Sequence, residues 1–191
     1  MRRSRIFGWA EFVFLGAGGG SLAFCGGILL YSTFFQLRSE KEFESLIVQN
    51  STRPKVESHA DRFAPLGRLE IPAVGLKVIV FEGTDCWTLI RAAGHIPGTA
   101  LPGDPGGNIG IAAHRDTFFK ALKDLGPRDE IILRTVTATF HYRVESKRVV
   151  TPEEVSVLNG SVDPSLTLVT CYPFEFLGRA PKRFIVRAHR E

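Results

Sequence analysis

Cysteine is scarce in this chain, with three in 191 residues, at positions 25, 86 and 171. Spread so widely, they build no disulfide framework, and no Cys-x-x-Cys occurs. His59, His95, His114, His141 and His189 are scattered too, without the close pairs that a zinc site draws on. The 24 Lys and Arg residues form no run interleaved with aromatics, so a net charge of +4 carries no nucleic-acid signal. Repeats and low-complexity blocks are also missing. These absences lead us to expect no metal, no cofactor and no nucleic-acid partner. One alternative concerns calcium: Glu153, Glu154 and Asp163 can in principle hold it in a loop. Carboxylates on an exposed connection are usually only solvated, which is the simpler expectation.

Charge is also absent from a long stretch. Between Phe12 and Phe35 no residue is charged, a run long enough to cross the ~30 Å hydrocarbon layer. Arg2, Arg3 and Arg5 precede it, while Glu40, Glu42 and Glu44 follow among Arg38 and Lys41. That cation asymmetry implies a cytoplasmic N-terminus and an exported remainder. A cleaved signal peptide has a shorter apolar core and an Ala-x-Ala-like exit, and neither is found here. Leu22-Ala-Phe-Cys25 is a poor lipoprotein box because of its Phe, and the paired arginines lack the rest of a twin-arginine signal. The reading is an uncleaved, single-pass anchor in the cell membrane. The chain therefore divides into a cytoplasmic N-terminus (1–11), an anchor (12–36), a juxtamembrane helix and linker (37–66) and a folded domain outside the cytoplasm (67–191). Phe43, Leu46 and Ile47 recur at helical spacing, so the helix is expected to continue to about Asn50. Residues 51–64, polar and holding Pro54, are expected to be a swinging tether.

The remainder, with 44% hydrophobic residues in the chain as a whole, is rich in short strand-like runs. Residues 68–72, 76–80, 108–113, 129–136, 139–150, 166–171 and 183–186 each read as strands. Asp85 is placed to cap a short helix around Trp87, Leu89 and Ile90, and Asp116 a second one around Phe118, Phe119 and Leu122. Thr151-Pro-Glu-Glu154 has the form of a third helix start. Short strands, few helices and many turns predict a closed or nearly closed β-barrel.

Two strand-like runs flank a Pro- and Gly-containing loop near the C-terminus, Leu166–Cys171 and Arg183–Val186. A hairpin there sets Cys171 and Arg183 at one rim. Only a thiolate is a good nucleophile, and a free thiol titrates near ~8.5, so a nearby fixed cation favours attack. Asn108-Ile-Gly-Ile-Ala-Ala-His114 supplies a histidine at the end of another apolar run. Burial alone would explain a lone cysteine. Cysteine, histidine and arginine at strand ends together point to covalent catalysis. Cys25 lies in the anchor, so Cys86–Cys171 is the one intramolecular disulfide open to the chain. It would consume the nucleophile, so Cys86 is expected to be free and partly buried.

Over residues 67 to 188 the chain resembles the sortase family, and within it the class D-like sortases. The resemblance is carried by Gly94-His-Ile-Pro-Gly-Thr-Ala-Leu-Pro-Gly103, His114-Arg-Asp-Thr-Phe-Phe119, Thr170-Cys-Tyr-Pro-Phe174 and Ala180-Pro-Lys-Arg-Phe-Ile-Val186. It implies a mainly β fold, an eight-stranded barrel with short connecting helices behind one transmembrane helix. It also implies a cysteine transpeptidase with His114, Cys171 and Arg183 as catalytic residues. The implied substrate proteins carry a Leu-Pro-x-Thr-Gly-like C-terminal sorting signal, and the acceptor is an amine of the cell envelope or of a second protein. Ala113 departs from the pattern, since relatives often have Gly before the histidine, and its methyl group is expected to crowd the site slightly. His95 is expected to close its loop by hydrogen bonding rather than to line the cleft. Two other functions compete. An envelope L,D-transpeptidase also uses Cys and His, but in a Ser-His-Gly-Cys signature that is missing here. A non-catalytic, membrane-tethered β-barrel that binds a partner needs none of the three residues.

Overall fold

The run Val78-Ile-Val-Phe81 is apolar at every position, which in a strand demands cover on both faces. That demand organises the molecule. The computed structural model describes residues 3–52, 65–176 and 178–191. It consists of a long helix α1 (Arg3–Thr52), a short helix α2 (Cys86–Arg91), three 3-10 segments and eight strands. The strands are β1 (Pro65–Ile71), β2 (Leu76–Glu82), β3 (Ala93–His95), β4 (Asn108–Ala112), β5 (Glu130–Arg134), β6 (Thr139–Val150), β7 (Ser165–Tyr172) and β8 (Lys182–Arg190). They close into one barrel in the order β1-β2-β3-β4-β7-β8-β6-β5. Neighbours are antiparallel except β2–β3 and β4–β7, which run parallel.

Residues of one parity fill the interior, among them Val78 and Val80 of β2, Ile109 and Ile111 of β4, Leu166 and Leu168 of β7, and Val186 of β8. Ile79 and Phe81, of the other parity, lie outside the barrel and pack with Ala92 under Phe43 of α1. Phe43 is 0% exposed, so the second face of β2 is covered by α1.

Several expectations need correction. β3 was not foreseen, because three residues are too few for a periodic signal. The second short helix is a 3-10 segment, Phe118–Asp124, whose N-cap is Thr117 without a side-chain bond; Asp116 does not cap it. The third begins later than Pro152, as the 3-10 segment Val155–Leu158, and residues 152–153 form a turn. Asp85 does cap α2, its carboxylate accepting from the Trp87 and Thr88 amides. Cys86 is free but exposed rather than partly buried. The expected tether falls largely on residues 53–64, which lie outside the described residues.

α1 is held to the barrel by more than Phe43. The Gln36 side chain donates to the Arg91 carbonyl and accepts from the Ile79 amide, at 2.6 and 3.0 Å. Arg68 of β1, itself buried, pairs with Glu44, with Glu40 at 3.5 Å and with Glu70 at 2.7 Å. Hydrogen bonding to Arg68 holds the Glu44 carboxyl below the usual carboxylate range. Burial works against the Arg68 cation, yet its bonds to Glu44 and Glu70 outweigh that and raise its pKa. A carboxyl whose pKa is depressed by docking stabilises the docked state above its ordinary range of about 4.3 and loses that contribution as pH falls through the lowered value.

Phe43→Ala is therefore expected to loosen α1 by about 3 kcal/mol, the low end for truncating a buried phenylalanine. Acidification below about pH 4 should act in the same direction, through Glu44. The Ile79 amide, bonded to Gln36, reports directly. Hydrogen exchange of the peptide carrying Ile79 should quicken in both cases while β7 stays protected. Unchanged protection would mean that these contacts do not hold the helix.

Candidate active site

The parallel pairing of β4 with β7 is what brings histidine and cysteine together. Parallel neighbours end at the same rim, and the register sets Ala112 beside Val169. Buried polar side chains clamp this register at both ends. At the start of the pair, the Asn108 side-chain oxygen accepts from Ser165 Oγ (3.2 Å) and Thr167 Oγ1 (2.8 Å). Near its end, Thr170 Oγ1 donates to the Ala113 carbonyl at 2.7 Å. A slip of one residue would turn every side chain to the other face, so these bonds decide the site as well as the fold. The threonine before the cysteine thus fixes the backbone that carries His114.

Parity places Cys171 and Arg183 on one face. In β7, Leu166 and Leu168 face the interior, so Cys171 lies outside with Val169. In β8, Phe184 and Val186 face inward, so Arg183 lies outside with Ile185. Cys171 and Arg183 are direct cross-strand partners. Ala113 is 5% exposed within the interior cluster, so its methyl group sits in the core and crowds nothing at the site, contrary to expectation. His114 follows directly after the end of β4, and it, Cys171 and Arg183 are all partly exposed. Arg187, two alternations along from Arg183, bonds Ser165 Oγ at 3.3 Å.

Arg183 uses one arm of its fork on its own loop, Nη1 donating to the carbonyls of Ala180 (3.3 Å) and Lys182 (3.0 Å). Across the pairing with β6, Arg183 faces Val150. Glu153 follows shortly after. Its carboxyl is held below the usual range by its own backbone amide, then by the Thr151 hydroxyl, with the Arg183 charge adding to them. A loop beginning at Pro173 joins β7 to β8. Its base is an aromatic cluster in which Phe174 meets Phe184 edge-on at 5.2 Å and Tyr172 stacks on Phe184 at 6.2 Å.

One residue that sequence reasoning passed over is Arg115. Its Nη2 donates to the carbonyls of Phe176 (2.5 Å) and Gly178 (3.1 Å), and the guanidinium lies 5.9 Å from the Phe176 ring centroid. Arg115 thereby ties the loop after the cysteine to the segment that begins with His114. Only its place in His114-Arg-Asp hinted at this. His95, 2% exposed, is bound between Glu82 (Nδ1, 2.8 Å) and the Ala100 carbonyl (Nε2, 3.0 Å), a loop-closing role as expected. Gly94 beside it is required, because a Cβ there would run into the Gly83 carbonyl. Among the described residues, no three His, Cys, Asp or Glu side chains come together as a metal site, and Glu153, Glu154 and Asp163 do not converge.

A closed barrel with cysteine, histidine and arginine at three neighbouring strand ends has the layout for cysteine-based acyl transfer. A sequence model described as the sortase domain matches residues 69–191, and the chain belongs to the sortase family, whose members are cysteine transpeptidases. It is 31% identical over 159 residues to sortase D of Bacillus subtilis strain 168, covering 81% of this chain and 80% of that one. Among solved structures, it is similar to a sortase D5 transpeptidase of Clostridium perfringens at 25% identity and a TM-score of 0.68, covering 82% of this chain and 98% of the other. Sortase C1 of Streptococcus suis also matches, at 28% identity and a TM-score of 0.62, covering 66% and 73%.

Proposed function

We propose that this protein is a membrane-anchored sortase that cuts a Leu-Pro-x-Thr-Gly-like sorting signal and joins the Thr acyl group to an amine. The cell envelope or a second protein provides the amine. Cys171 Sγ, as thiolate, attacks the Thr carbonyl carbon. Arg183 donates hydrogen bonds to the oxyanion that develops there. The Thr–Gly C–N bond breaks as the His114 imidazolium gives its proton to the departing amine, leaving a thioester and a neutral imidazole. The incoming amine then attacks the thioester carbonyl, His114 takes its proton, and the Cys171 thiolate leaves. No cofactor enters any step.

The observation that supports this reading is the β4–β7–β8 register, which pairs Cys171 with Arg183 and ends β4, just before His114, beside β7. The anchor reading rests on α1. It is the one described helix long and apolar enough to cross a membrane, and Phe12, Phe14, Leu15, Leu22 and Leu30 stand more than 70% exposed along it. The arginines before the run favour a cytoplasmic N-terminus, with the barrel outside.

A competition assay tests the function. Turnover of a quenched sorting-signal peptide should be stimulated by an added amine acceptor, and a cross-linked muropeptide precursor should be left untouched. Turnover of the muropeptide alone would favour an L,D-transpeptidase, and inertness towards both would favour a binding module.

A further inference from the structure

The apolar run and the docked segment belong to one continuous helix, and the boundary between them falls at Phe35 and Gln36. Phe35 is the last residue before the polar Gln36, and Gln36 makes two of the bonds to the barrel. Helix α2 is fixed at this level. The Arg91 guanidinium lies 4.8 Å over the Phe35 ring, and the Phe35 ring lies 5.6 Å from that of Phe81. Between α1 and α2 runs a groove of about 740 Å³, lined by Phe35, Phe81, Trp87, Arg91, Ala92 and Pro97 among others. Trp87 is 71% exposed, and Phe34 and Leu37 beside the boundary are 66% and 56% exposed. An exposed tryptophan beside an apolar groove on an export-side domain needs a partner.

The helix itself says which partner. At 1.5 Å per residue the uncharged run rises about 35 Å, somewhat more than the ~30 Å hydrocarbon layer. Phe35 therefore emerges at the headgroup level, and whatever is locked to Phe35 lies there too. We infer that α2 and the α1–α2 groove form a seat for the phospholipid headgroup layer on the barrel side of the membrane. Trp87 lies at glycerol depth, where an aromatic ring with one polar end is favoured. The groove takes the upper part of one phospholipid, and Arg91 faces its phosphate. The acidic residues on the groove wall are already engaged: Asp85 caps α2 and Glu82 binds His95. A zwitterionic headgroup therefore suffices, and binding does not depend on anionic lipid. The seat holds the barrel against the bilayer rather than free on a tether. This inference rests on the membrane-anchored reading above.

The chain has two tryptophans, Trp9 and Trp87, and each can be read alone. The full-length protein is placed in phosphatidylcholine nanodiscs as W9F, which reports Trp87, and as W87F, which reports Trp9. Both side chains are exposed, so neither change disturbs packing, and circular dichroism checks the fold. Lipids brominated near the top of the acyl chain should quench Trp87 strongly, and lipids brominated near its end only weakly. Trp87 emission should be shifted to the blue of water-exposed tryptophan and be protected from aqueous acrylamide. If Trp9 is quenched by brominated lipid while Trp87 behaves as in water, the span stands and the seat is overturned. If neither is quenched, the anchor reading fails and the seat falls with it.

Discussion

Cys171→Ala is expected to abolish transpeptidation while the protein stays folded. The side chain lies at the outer edge of β7, partly exposed, where a methyl group fits and the pairing with Arg183 is made by backbone alone. Thr170, which clamps β7 to the end of β4, is untouched. The change therefore removes the attacking atom and little else. Loss of the nucleophile in a covalent acyl-transfer enzyme costs a factor on the order of 10⁶ in kcat, which here means a fall to background. Cys86→Ala is the matched control. Its thiol is free, exposed and at the start of α2, outside the β7–β8 hairpin that carries Cys171 and Arg183, so activity should be kept. kcat/KM with a quenched sorting-signal peptide, alongside thermal unfolding, checks both. Equal losses from the two changes would remove Cys171 from its role.

Arg183→Lys is expected to cost about 10²–10³ in kcat, the usual effect of losing one oxyanion donor. Lysine keeps the charge but not the planar fork, and the proposed role draws on the fork. One arm is spent on the Ala180 and Lys182 carbonyls, which leaves the rest to meet substrate. An ammonium group cannot do both. The loop bonds raise a competing explanation, since Arg183 could matter merely by shaping residues 180–182. A shaping role would show mainly in KM and in unfolding temperature, whereas a transition-state role shows in kcat with stability nearly unchanged. Arg187→Lys serves as the control. Arg187 is on the same face, farther from the rim and bonded to Ser165, so its replacement should leave the rate within a few fold. Near-full activity in Arg183→Lys would end its catalytic assignment.

Much of the barrel was legible because strands written as short apolar runs between Pro and Gly need little beyond local pattern to be seen. The boundaries of β6 agree residue for residue with the expected strand. The candidate site was legible for a related reason: Cys171 and Arg183 belong to one hairpin, so local reading sufficed to make them neighbours. His114 is different. Its approach to Cys171 depends on the parallel β4–β7 pairing, a long-range contact that only family resemblance suggested. What sequence could not give was tertiary in origin. The three residues of β3 are a strand because β2 and β4 flank them. Phe43 looked like half of a weak helical stripe, and only the uncovered face of β2 explains why it is buried. Arg68, a charge in a strand pattern, reads as solvent-facing until the acidic face of α1 is laid over it. Asp116 failed as a cap because the segment after it is a tight 3-10 turn and not an α-helix.

The central claim is that the acyl group passes through a thioester on Cys171. The full-length protein is mixed with a sorting-signal peptide without an acceptor amine, quenched in acid and mapped by mass spectrometry. The account predicts an adduct equal to the peptide up to its Thr, found on the fragment carrying Cys171 and removed by hydroxylamine. Finding the adduct on Cys86, or peptide cleavage that continues with Cys171 unmodified and replaced by Ala, would contradict it.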